Sequence, residues 1–287
     1  MRRSLLFIPG NNPAMLQNAD VFESDGLILD LEDAVHINEK DSARMLVSHY
    51  LESKQTHSLE MIVRINGLDT PYFQKDLQAV VCQQLDTIML PKAKVKDVLD
   101  LSKMLDEIEQ TKQISKEIKI IPIIELAQSV LEVNELARFP RVNGILLGAE
   151  DLSTDLEIER TKPGLEIIYP RFCVIYACKA QKIDAIDTPF TDTKDEQGLS
   201  KDCETAKMFG MNAKTAIHPN QVSIINDVFS PSEKNIIVLF VEPHRPIVGI
   251  SQIFFSLRSV FCRPKWVLVG QLEWSGLPKF VGIHGVG

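Results

Sequence analysis

Eight short apolar runs, each ending in polar residues and most separated by a stretch of helical period, constrain this chain more than any other feature. They are Ser4–Ile8, Gly26–Asp30, Met61–Ile65, Thr87–Leu90, Ile120–Ile124, Gly144–Leu147, Ala185–Thr188 and Thr215–Ile217. Each is too short for an independent helix, and unbroken apolar runs of this length suit strands buried on both faces, as a parallel sheet requires. Between them, stretches such as Asp97–Gln110 and Ala127–Phe139 repeat apolar residues at helical spacing. Strand alternating with helix implies right-handed βαβ units. Eight such units, with no glycine-rich dinucleotide loop after the first strand, predict an α/β fold of the closed (β/α)8 TIM-barrel type rather than an open doubly wound sheet. The 287 residues accommodate a barrel of about 250 residues with an appendage.

A barrel brings the carboxyl ends of all its strands to one face, where active sites of this fold lie. The residues following each run are therefore neighbours in prospect. They are Pro9-Gly10-Asn11-Asn12, Asp30-Leu31-Glu32-Asp33, Arg64-Ile65-Asn66, Pro91-Lys92, Glu125, Gly148-Ala149-Glu150-Asp151, Asp187-Thr188 and His218-Pro219-Asn220. Six or more carboxylates, one arginine and one lysine would share a single mouth, an excess of negative charge that calls for a cation.

Glu125 and Asp151 follow neighbouring strands. Two adjacent carboxylates repel unless one is protonated or a metal bridges them, and a hard dication such as Mg2+ takes one or two protein carboxylates and leaves its other positions to water and substrate. The competing reading is a solvent-facing acid in the first turn of a helix. Glu125 sits between an unbroken apolar run and Leu126, which favours burial at the rim. Asp30, Glu32 and Asp33 offer either ligation or support for a metal's water. Arg64 is the basic residue expected inside a strand core, where its charge must be paired. Either it bridges the acidic cluster structurally, or its guanidinium meets a substrate carboxylate or a developing enolate oxygen.

Lys92 is disfavoured as a Schiff-base nucleophile, because so many carboxylates would hold its proton. His218 precedes Pro219, so a turn role competes with a polar contact at the mouth. His36, His49, His57, His244 and His284 read as surface residues. No serine or cysteine nucleophile stands beside a histidine base.

Formal net charge is −8, which argues against nucleic-acid and membrane partners. The five cysteines are odd in number and lack CxxC or zinc-like spacing, as expected of reduced thiols in a cytoplasmic protein. Pro9 and Gly10 cut short the apolar N-terminal run, which excludes a signal-peptide core or spanning helix there.

Several segments carry a resemblance. Arg3-Ser-Leu-Leu-Phe-Ile-Pro-Gly-Asn-Asn-Pro13, Asp30-Leu-Glu-Asp-Ala-Val35, Asn38-Glu-Lys-Asp-Ser-Ala-Arg44 and Val63-Arg-Ile-Asn-Gly-Leu-Asp-Thr-Pro71 come first. Leu90-Pro-Lys92, Ile124-Glu125, Leu147-Gly-Ala-Glu-Asp151, Thr154-Asp-Leu156, Ile183-Asp-Ala-Ile-Asp-Thr188 and Asp195-Glu-Gln-Gly198 follow in order. Together, over residues 2–237, they resemble the citrate lyase β-subunit branch of the HpcH/HpaI aldolase and citrate lyase-like family. The resemblance implies a magnesium-dependent carbon–carbon lyase that cleaves citryl, carried on the phosphopantetheine arm of an acyl carrier protein, to oxaloacetate and the acetyl thioester. It implies Arg64 and Glu125 as substrate-binding residues and Glu125 and Asp151 as magnesium ligands. Asp30, Asp33 and Glu150 are expected behind them, and Glu32 is a candidate base. The partners implied are the α and γ subunits of a citrate lyase and further copies of the chain. A stand-alone lyase of malyl- or citramalyl-coenzyme A shares the same metal and arginine positions.

The family pattern stops near residue 238. Residues 239–287 hold five basic and two acidic residues, both tryptophans and six of the fourteen glycines, with no Ala, Asp, Asn, Thr, Tyr or Met. Related lyases carry a segment resembling Leu-Asp-Gly-Lys-Met-Val-Asp there, whose aspartate is expected to reach a neighbouring subunit's active site in the related malyl-thioester lyases. A lyase domain over 1–238 is therefore expected to precede a divergent tail, read as out of frame, disordered or serving an interaction. A catalytically impaired assembly subunit is the reading that this missing motif supports.

Overall fold

The computed structural model describes residues 2–53 and 59–231, with two short pairs at 266–267 and 284–285. The chain divides into two compact units, Arg2–Ser230 and Met1 with Pro231–Gly287. In the second unit, Trp266–Val267 pairs antiparallel with His284–Gly285; the tail expected over 239–287 otherwise lies outside the described residues.

The first unit is a closed parallel barrel of eight strands in sequence order. Its elements are β1 (Ser4–Pro9), α1 (Pro13–Gln17), β2 (Gly26–Asp30), α2 (Lys40–Ser53), β3 (Glu60–Arg64), α3 (Phe73–Val80), β4 (Thr87–Leu90), α4 (Val95–Thr111), β5 (Lys119–Ile124) and α5 (Ala127–Leu136). They continue with β6 (Gly144–Leu147), α6 (Ala149–Asp155), α7 (Ile168–Gln181), β7 (Asp184–Asp187), α8 (Glu196–Phe209), β8 (Ala213–Ala216) and α9 (Asn220–Phe229). All eight expected runs are strands, with boundaries moved by no more than two residues. The ring closes where β1 pairs with β8, Leu5 opposite Thr215.

The two-residue period of a strand sorts its side chains. Leu5, Ile28, Ile62, Met89, Ile121 and Ile186 fill the interior, while Leu6, Leu27, Val63 and Ile88 pack outward under the helices. Helix α4 supplies Val98, Leu101 and Leu105 to that outer layer, the i, i+3, i+7 stripe of an amphipathic helix. At the amino-terminal end of the barrel, Arg2 donates to both Glu60 oxygens at 2.6 Å and to Asp184 at 3.0 Å. Glu60 also accepts from the Thr87 hydroxyl at 2.7 Å.

The same period corrects two expectations. Ile186 faces the interior, so Asp187 faces the helices and is not one of the mouth carboxylates. Nor is Arg64 alone as a basic residue in a strand core. Lys214 of β8 is fully buried and donates to Asp187 and Asp202, each at 2.6 Å, and to the Thr188 carbonyl at 2.6 Å. Arg171 of α7 completes this set with 2.9 Å bonds to Asp187 and Asp202. Two cations and two anions balance, which a buried charge cluster needs. Lys214 escaped notice because the eighth strand, which begins at Ala213, was expected to begin at Thr215, one residue after the lysine.

Among the described residues no helix is long and apolar enough to cross a membrane. The described cysteines Cys82, Cys173, Cys178 and Cys203 are free thiols, and Cys262 lies outside the described residues.

Candidate active site

The mouth is organised around Asp30, at the end of β2 and completely buried. Its carboxylate accepts two 2.7 Å bonds from Nε and Nη2 of Arg64, at the end of β3. It also accepts the backbone N–H groups of Glu32 and Ala34, both at 2.9 Å. One side chain thus aims the arginine and folds the loop after β2. Lys40 holds that loop from behind, donating to the carbonyls of Leu31 at 2.8 Å and Glu32 at 2.7 Å. Asn66 donates to the Leu31 carbonyl at 3.0 Å. The guanidinium carbon of Arg64 lies 4.9 Å from the centre of the Phe7 ring, a cation–π contact. Phe7 went unremarked in the sequence, although its place two residues after the interior Leu5 was the available signal.

Arg64 Nη1 lies 3.2 Å from Glu32 Oε2 and 3.7 Å from Asp33. The Glu32 contact is off the N–H direction, so that buried oxygen makes no hydrogen bond. Burial, which the Arg64 charge only partly offsets, pushes the Glu32 carboxyl up to about 8, with Asp33, Glu125 and Asp30 adding repulsion. Asp33 itself is largely exposed.

Glu125 follows β5, buried to 5% exposure. Ile121 and Ile123 point into the barrel, so parity turns Glu125 the same way. Its Oε2 accepts the backbone N–H of Lys92 at 2.7 Å. Burial pushes its carboxyl up to about 7; Lys92 N–H and Arg64 pull down, and the charge of Asp151 pushes further up. Gly148, between β6 and α6, makes room for it: a Cβ there would lie 2.4 Å from Glu125 Cγ and 2.8 Å from Oε1. Asp151, in the first turn of α6, is 39% exposed and pairs at 3.6 Å with Lys92 Nζ.

The structure therefore gathers Asp30, Glu32, Asp33, Arg64, Glu125 and Asp151 at one end of the barrel. Glu150 is turned elsewhere, with its carboxylate 2.9 Å from Arg160 Nε. His218 is exposed and engages Asn220 two residues on, a turn contact. Among the described residues no group of three or more His, Cys, Asp or Glu side chains forms a ready metal cage. The site instead offers two converging carboxylates and an unsatisfied buried carboxylate oxygen, all hard oxygen donors. That set fits a magnesium ion, which needs few protein ligands.

The sequence profile of the family described as HpcH/HpaI aldolase/citrate lyase matches residues 3–219. Over 241 residues the chain is 38% identical to the citrate lyase subunit beta of Leuconostoc mesenteroides subsp. cremoris, covering 82% of this chain and 79% of that protein. It is 33% identical over 257 residues to a (3S)-malyl-CoA thioesterase of Cereibacter sphaeroides, covering 88% of this chain and 87% of that one. Among solved structures, the citrate lyase beta subunit of M. tuberculosis complexed with oxaloacetate and magnesium is similar with a TM-score of 0.68 at 27% identity, covering 80% of this chain and 97% of that one.

Proposed function

The chain belongs to the HpcH/HpaI aldolase/citrate lyase family, a family of carbon–carbon lyases, and from that premise we propose that it cleaves citryl carried on an acyl carrier protein. The products are oxaloacetate and the acetyl thioester, and the chain acts in the cytoplasm as the β subunit of a citrate lyase. Its partners are the α and γ subunits, the carrier and further copies of itself. The observation that carries this reading is the Glu125–Asp151 carboxylate pair beside an arginine locked in place by Asp30.

Glu125 and Asp151 would hold a magnesium ion, which would supply Lewis acidity toward the oxygens of the citryl group. The chain's own residues do the rest. Glu32, buried beside Arg64 with an oxygen free to accept, takes the hydroxyl proton. The new carbonyl forms as the carbon–carbon bond breaks, and the bonding pair passes to the acetyl α-carbon as an enolate. Arg64, with Nε and Nη2 committed to Asp30, turns its Nη1 side to the oxygen that gains this charge. Protonation of the α-carbon completes the acetyl thioester.

A malyl-type thioester is the second reading, favoured by the thioesterase relative's match over a larger share of the chain. Measuring oxaloacetate from citryl-carrier, and glyoxylate from malyl-coenzyme A, with and without Mg2+ separates the two. Glu125→Ala and Asp151→Ala are each expected to lower turnover by roughly 100-fold or more, the scale of losing a group that stabilises transition-state charge. Magnesium-independent turnover, or none with either thioester, would sink the proposal; the latter leaves an assembly role for the barrel.

A further inference from the structure

We propose that Lys92 is a built-in counter-cation of the carboxylate pair, one that competes with magnesium for Asp151 and so sets the metal's affinity. The inference rests on the reading that Glu125 and Asp151 hold magnesium. It starts from the backbone. Lys92 has φ = 48°, in the left-handed region that side chains other than glycine rarely adopt. In that conformation its N–H donates to Glu125 Oε2 at 2.7 Å while its ammonium lies 3.6 Å from Asp151 Oδ2. A single residue thus ties together Glu125, which follows β5, and Asp151, in the first turn of the helix after β6. An uncommon conformation at such a place invites a functional reading when the contacts that it makes are specific.

The remaining charges leave this task to Lys92. Among the described residues, the ion pairs of Asp30, Glu32 and Asp33 are with Arg64, and that of Asp151 is with Lys92. Arg64 is locked by two bonds to a buried partner and cannot follow a changing charge. Lys40 is spent on backbone carbonyls, and Lys96 pairs with Asp100 along its own helix. Lys92 is different. Its side chain is 53% exposed and has one partner at long range, so it is free to swing. With the metal absent, its charge offsets part of the repulsion between the pair. With a dication on Asp151 the ammonium is repelled and turns to the mouth, where an anionic substrate enters. Charge on Lys92 should therefore weaken metal binding and favour substrate binding.

The test is calorimetric titration of the full chain with Mg2+, comparing the parent with Lys92→Met and Lys92→Arg, and KM for the thioester in each. Lys92→Met is expected to bind Mg2+ roughly 5- to 10-fold more tightly, the scale of removing one like charge a few ångströms away in a half-exposed setting. Its KM should rise, and Lys92→Arg should restore both values to those of the parent. A residue that merely supported the loop would not move the two quantities in opposite directions. Lys92→Gln serves as the uncharged variant if Lys92→Met does not fold. Magnesium affinity unchanged or weakened in a folded uncharged variant overturns this inference alone. A parent chain that binds no Mg2+ overturns the proposed function and this inference with it.

Discussion

Asp30 and Arg64 show how a buried pair becomes a positioning device. Every oxygen of Asp30 is used, two bonds going to the guanidinium and two to the loop that carries Glu32. The surplus of acid left over is lodged in Glu32 and Glu125, whose carboxyls burial pushes up to about 8 and about 7. Both lie above their unfolded values, so the folded chain binds more protons than the unfolded one between pH 4.5 and those values. Stability then falls as pH rises through that window and levels off above it. The metal-free protein is expected to lose on the order of a few kcal/mol between pH 5 and 8. If Glu125 and Asp151 hold magnesium as proposed, saturating Mg2+ should favour their ionised forms, raising the melting temperature at pH 8 and barely changing it at pH 5. Thermal melts across that range check this; an equal magnesium effect at both pH values would contradict it. Substituting glutamine for both glutamates should flatten the slope.

The junction of β6 and α6 does for Glu125 what Asp30 does for Arg64. Gly148 is the residue that lets the first turn of α6 come up against the end of β5, because any Cβ would meet Glu125 and Ile123 inside 3 Å. Gly148→Ala should therefore push Glu125 off its bond with Lys92 N–H, at a cost of about 1–3 kcal/mol in folding stability. It should weaken magnesium binding by at least tenfold; parent-like affinity in a magnesium titration would show that the turn has slack. On the strands next in the ring, Lys214, Arg171, Asp187 and Asp202 fasten β7 and β8 to α7 and α8. Thr188 lies within this fastening, since its carbonyl accepts from Lys214 and its hydroxyl accepts the Ala149 N–H at 3.3 Å. The helix that carries Asp151 is thereby linked to a charge cluster under the helical layer.

For the whole molecule, closure of the ring matters most. β8 pairs with β1 and α9 ends at Phe229 with its apolar face buried, so the ring of strands and its last helix are complete by Ser230. A chain ended after Ser230 is expected to keep its helical circular-dichroism signal. It should melt in one cooperative step within about 5 °C of the full chain, the shift of roughly 1–2 kcal/mol in a domain of this size. A broad, non-cooperative melt would show that the later residues are part of the fold.

Much of this was legible beforehand, and particular residues show why. Strand positions followed from unbroken apolar runs bounded by polar residues, because a strand buried on both faces admits little else. Glu125 was legible because it ends such a run, and Asp30 and Arg64 because their charges stand where only a paired charge is tolerated. These are local consequences of burial, and the sequence by itself determined them. Tertiary structure alone decided which charge meets which. Lys214 lies 27 residues from Asp187 and 12 from Asp202, Arg64 lies 34 from Asp30, and Lys92 lies 33 from Glu125. Such pairings depend on the register between neighbouring strands and on the parity that sends Asp187 outward and Glu125 inward. A one-residue change in either exchanges the two faces, so the partners are set only when the barrel closes.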